Sequence, residues 1–115
     1  MELIEEIKTK LDVEVREYSD EDEYFEAVVQ AKDIEMLSDI LKDSLGEPLK
    51  APGENPKFPR HFSKLIALIG GIRADQSFYI KESDGGNFIF AALWPWQSDS
   101  SRVTLKMGWG ILSEL

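Results

Sequence analysis

Asn87-Phe88-Ile89-Phe90-Ala91-Ala92-Leu93-Trp94-Pro95-Trp96 is the stretch whose reading decides the fold of this chain. A strand with one wet face alternates apolar and polar side chains. This run does not alternate, so both of its faces must be covered. Polar turns bracket it: Ser83-Asp84-Gly85-Gly86-Asn87 before, and Gln97-Ser98-Asp99-Ser100-Ser101 after. The run therefore reads as the middle member of a three-stranded antiparallel meander spanning Gln76 to Ile111.

The register of that meander sorts its side chains into two faces. A two- or four-residue loop at Asp84–Asn87 would place Phe78 and Ile80 on one face with Ile89, Ala91 and Leu93. Pairing Trp94 with Arg102 across the second turn adds Val103, Leu105 and Met107 to that aliphatic face. The opposite face then carries Tyr79, Lys81, Phe88, Phe90, Trp94, Arg102, Thr104 and Lys106. Its four aromatic rings bury ~150–250 Å² each, so left bare they would form an apolar patch of roughly 600–1,000 Å². That exceeds what a typical monomer exposes. A helix or loop of the chain itself, or a partner, has to cover it. Pro95 cannot donate to the ladder and marks the strand's end, with a tryptophan on each side. Tyr79, Phe88, Phe90, Trp94 and Trp96 are the candidate partner-binding residues.

Upstream, Leu3, Ile4, Ile7 and Leu11 recur at helical spacing and predict a short amphipathic helix over 2–11. Asp12–Tyr18 and Tyr24–Ala31 read as a hairpin closed by the acidic tip Ser19–Glu23. Asp33 is an expected N-cap for a helix carrying Ile34, Leu37, Leu41 and Leu45 on one face, with Gly46 at its end and Pro48 beyond. A third helix follows Pro59, with Phe62, Leu65, Ile66 and Ile69 on one side and Gly70-Gly71 ending it. The predicted order is α-β-β-α-α-β-β-β. The class is α+β in two layers: an antiparallel sheet built from an N-terminal hairpin and a C-terminal meander, with about three helices on one face.

At 115 residues, 43% hydrophobic and 30% charged, the chain reads as a single globular domain over 1–115. Residues 47–59 form its one long irregular loop, holding Pro48, Pro52, Pro56 and Pro59; loops of this length are often functional. Basic residues surround the loop. Arg60 and His61, at the expected positive end of the third helix, and Arg73 beyond it are the candidate anion- or ligand-binding residues.

The net charge of −9 is unevenly placed: residues 1–47 hold 16 acidic and 5 basic side chains, against 6 and 8 in the remainder. Such a surface repels nucleic acid and anionic membrane, so neither is an expected partner. There is no cysteine, His61 is the only histidine, and no phosphate-loop, dinucleotide or nucleophile-elbow motif occurs. No metal, cofactor or catalytic residue is expected. The acidic turn Asp20–Glu23 lacks the spacing and central glycine of a calcium loop and reads as an exposed tip. With an acidic amino terminus and no apolar run long enough to span a membrane, a cytoplasmic location is the expectation. The reading that follows is a small non-catalytic protein-interaction domain, with self-association among the options. The alternative is a small-molecule or anion-binding domain, enzymatic or not, with its site between the 47–60 loop and the Trp94–Trp96 end of the sheet.

Overall fold

A computed structural model describes residues 2–115. It comprises α1 (Glu2–Lys10), β1 (Val13–Ser19), β2 (Tyr24–Gln30), α2 (Ile34–Leu45), α3 (Ser63–Leu68), β3 (Ser77–Glu82), β4 (Asn87–Pro95) and β5 (Arg102–Ile111). This is the expected order. The five strands form one antiparallel sheet in the order β1-β2-β5-β4-β3, so the last strand in the chain lies at the centre, joining the N-terminal hairpin to the meander. No helix among the described residues is long and apolar enough to cross a membrane.

One face of the sheet carries the main core. Phe25, Ala27 and Val29 of β2, Val103, Leu105 and Met107 of β5, and Ala91 and Leu93 of β4 meet Leu3, Ile4 and Ile7 of α1 and Leu37, Ile40 and Leu41 of α2. The period of 2 in the strands and of about 3.6 in the helices aims both sets at the same layer. Asp33 stands at the N-cap of α2, but its side chain makes no capping hydrogen bond, because a 3-10 turn over Ala31–Asp33 leads into the helix. We therefore expect Asp33→Ala to cost less than about 0.5 kcal/mol in urea unfolding, where a working cap is worth ~1 kcal/mol. Gly46 ends α2 with φ 87°, donating its N–H to the Lys42 carbonyl at 2.9 Å. Only glycine takes that backbone without strain.

The meander register differs from expectation in one strand. Leu93 pairs with Leu105 and Ala91 with Met107, which puts Val103, Leu105 and Met107 on the core face as anticipated, although Trp94 faces Thr104 rather than Arg102. In β3, by contrast, Ser77 pairs with Leu93 and Tyr79 with Ala91. The loop before β4 has three residues, Asp84–Gly86, closed by the Ser83 N–H on the Asn87 carbonyl. An odd-numbered loop pairs like parity with like, so β3 is turned over relative to the expected arrangement. Tyr79 is thereby corrected from the aromatic face to the helix-covered core, where it is 3% exposed. Phe78 takes its place opposite.

On that opposite face, α3 and the chain around it cover the β3–β4 half. Leu65 and Ile72 pack on Phe78, Phe88, Phe90 and Ala92, with Phe58, Ile66, Ile69 and Trp94 at the margin. The expectation of all helices on one face therefore holds for α1 and α2 alone. The third helix is also shorter than expected: a 3-10 turn, Arg60–Phe62, precedes the six residues Ser63–Leu68. The proline-rich segment runs along the outer edge of β3, where Lys50 and Phe78 exchange backbone hydrogen bonds at 3.2 and 3.0 Å.

Candidate functional site

The aromatic residues singled out from the sequence divide into three groups. Tyr79 lies in the core under the helices, and Phe88 and Phe90 are buried beneath α3. Trp94 and Trp96 remain half-buried, and each is topped by a cation: the Lys106 ammonium lies 3.4 Å from the Trp94 ring centre and the Arg102 guanidinium 5.5 Å from that of Trp96. The Trp96 indole N–H donates to Thr104 Oγ1 at 2.8 Å. That of Trp94 is buried without an acceptor among the described residues.

The uncovered part of this face, over β2 and β5, is polar. Glu26 faces Lys106, Val28 faces Thr104, and Gln30 faces Arg102 across the ladder. The Tyr24 hydroxyl donates to Glu26 Oε1 at 2.7 Å. Burial first, then this bond and the charges of Glu26 and Glu17, raise the Tyr24 phenol well above the usual tyrosine range. Burial lowers the Lys106 ammonium, and Glu26 offsets part of that effect. Glu26 and Lys106 thus stand opposite each other with opposite charge, a stabilising cross-strand pairing, while Gln30 donates to Asp12 and Arg102 lies beside Asp99.

Arg60, His61 and Arg73 are all exposed, and two of the three already face carboxylates. His61 Nε2 lies 2.9 Å from Glu82 Oε1, and Arg73 lies 3.6 Å from Asp75. Lys50, in the same basic stretch, is withdrawn from solvent. Its ammonium donates to the carbonyls of Ala51, Ala74 and Gln76 at 2.9, 2.8 and 2.5 Å. Burial pushes that ammonium down, while Glu54 and Asp75 push it back up. Three N–H donors meet three acceptors, so Lys50 ties the start of the irregular segment to the stretch that leads into β3.

A wide cavity lies at the other end of the sheet from Trp94 and Trp96. It has a volume of about 800 Å³ and opens between the first turn of α1, the last turn of α2 and the Trp109 end of β5. Its floor follows from the register: Lys81 pairs with Ile89 and Ile89 with Trp109, so one row of side chains crosses three strands on the helix-covered face. Glu23 continues the row, accepting the Trp109 backbone N–H at 3.3 Å. Its φ of 54° is the one positive value at a non-glycine residue among those described, and it turns the hairpin tip back toward the sheet. A Cβ on Gly110 would stand 3.4 Å from Glu23 Oε2, so the bare backbone there leaves room for that carboxylate. Leu3 and Leu45 close the apolar wall from above.

Glu23, read from the sequence as part of an exposed tip, is exposed and lies at the rim of this cavity. Nothing along the chain joins Glu2, Glu23, Trp109 and Glu114; only the return of β5 to the centre of the sheet does. The one local signal is Gly108-Trp109-Gly110, where two glycines flank a large ring in a strand. Compared with models of protein families, with curated proteins and with solved structures, the chain matches none.

Proposed function

We propose that this protein is a non-catalytic protein-interaction domain that receives its partner in the groove at the Trp109 end of the sheet. The observation carrying this reading is the groove itself: an apolar floor of Ile89 and Trp109 beneath Leu3 and Leu45, inside a rim of charged side chains. An apolar centre with a polar rim is the anatomy of a protein interface, and a tryptophan at such a centre is a common energetic anchor. The groove's volume of about 800 Å³ also falls within the ~300–1,000 Å³ of small-molecule sites, which supports a small ligand as the second reading. The aromatic sheet face is a weaker support for a partner than its composition implies, because α3 lies over Phe88 and Phe90.

Selection from a displayed random-peptide library tests the proposal. Ser44, half-buried on α2, lines the groove, so Ser44→Tyr should fill it from a helix position that tolerates the ring. The unaltered chain should enrich a peptide family, and Ser44→Tyr, with unchanged thermal melting, should bind that family at least about tenfold more weakly. Equal binding by both chains, or no enrichment by either, would reject the groove as a protein-docking site.

A further inference from the structure

We infer that the groove's occupant is a basic segment of a partner protein, a lysine or arginine beside an apolar anchor; this rests on the groove being the binding site. Charge complementarity identifies the occupant. Four carboxylates line the cavity, those of Glu2, Glu6, Glu23 and Glu114, against the single ammonium of Lys81. Glu6 is already paired with Lys10 at 2.7 Å, but no ion pair engages Glu2, Glu23 or Glu114 among the described residues. Like charges gathered around a low-dielectric floor favour an incoming cation, and the chain's net charge of −9 attracts one from a distance.

The row across the sheet also orients the occupant. Lys81 and Glu23 stand at opposite ends, three strand spacings or about 14 Å apart. Trp109 and Glu23 are joined through the backbone and both line the groove, so a cation bound at this end has a carboxylate and an aromatic ring, capable of cation–π attraction, among its walls. An apolar side chain two or three residues away in the partner would then fall on Ile89 under Leu45. An acidic segment would instead bring its charge against unpaired carboxylates.

Two synthetic peptides with one leucine pattern, differing only in lysine against glutamate, test this with the full ¹⁵N-labelled chain; free spermidine serves as the small-amine control. The lysine peptide should shift the Trp109 indole and Gly110 amide resonances. Its affinity should fall roughly tenfold in high salt, and similarly when Glu2→Gln, Glu23→Gln and Glu114→Gln are combined in a variant whose melting is checked. Equal affinity for the glutamate peptide would overturn the basic specificity while leaving the groove as the site. Equal affinity for spermidine would replace the protein segment with a small amine. If neither peptide moves these resonances although library peptides do, the basic occupant is excluded; if library peptides also fail, the groove reading falls with it.

Discussion

Lys50→Met is expected to lower the stability of this protein by about 2–4 kcal/mol, one of the two largest effects we anticipate for a single substitution. Methionine preserves the length and apolar bulk of the side chain and removes only the ammonium. What is lost is the set of three hydrogen bonds to Ala51, Ala74 and Gln76. Ala74 and Ala51 are exposed or half-exposed, so water can replace the lysine at their carbonyls; Gln76 is buried and its carbonyl is left unpaired. That residual unpaired acceptor, with the loosened path from Leu49 to Gln76, accounts for most of the cost. Lys50→Arg should fall between, because a planar fork retains the charge but cannot aim three donors at three converging carbonyls. In urea unfolding the midpoint should drop while the slope stays unchanged. A loss of less than about 0.5 kcal/mol for Lys50→Met would show that water serves those carbonyls as well as the ammonium does.

Gly108→Ala is expected to cost about 2–3 kcal/mol. A Cβ there would lie 2.4 Å from Phe90 Cε1 and 3.1 Å from Cζ, so the ring would have to move. It has nowhere to go. Phe90 is 3% exposed and stacked between Phe78 and Phe88, with ring centres 5.9 and 6.4 Å away. The backbone of Gly108 is not in the left-handed region, so the penalty is steric and not conformational. A double-mutant cycle separates the two residues: Phe90→Leu should cost distinctly less in the Gly108→Ala background than alone, because the smaller side chain relieves the overlap. Additive effects would mean that the ring and the backbone are not in the contact described.

Much of the fold was legible locally. The spacing of Leu3, Ile4 and Ile7, and of Leu37 and Leu41, identified α1 and α2 together with their buried faces. The doubly apolar run Asn87–Trp96 identified a strand covered on both sides, and two separate clusters cover it. The error in β3 has a simple origin. Loop length at Asp84–Gly86 sets parity, and one residue more or less exchanges Tyr79 with Phe78. Arg60, His61 and Arg73 drew notice as a basic group because sequence displays like charges in succession but not the carboxylates of Glu82 and Asp75 that face two of them. The role of Lys50 is hidden from the sequence for the same reason: its three acceptors are backbone carbonyls, which leave no mark on composition.

Sequence alone determined the α+β class, the order of elements, the aliphatic layer of β4 and β5 and the acidic bias of the amino-terminal part. Those properties follow from periodicity and composition, which act over a few neighbouring residues. Tertiary structure decided which aromatic rings stay accessible, what Lys50 holds, and that Glu2, Glu23, Trp109 and Glu114 surround one groove. The groove depends on β5 pairing with both β2 and β4, and the Lys50 contacts on the irregular segment docking at the edge of β3; both are long-range contacts that no single segment sets.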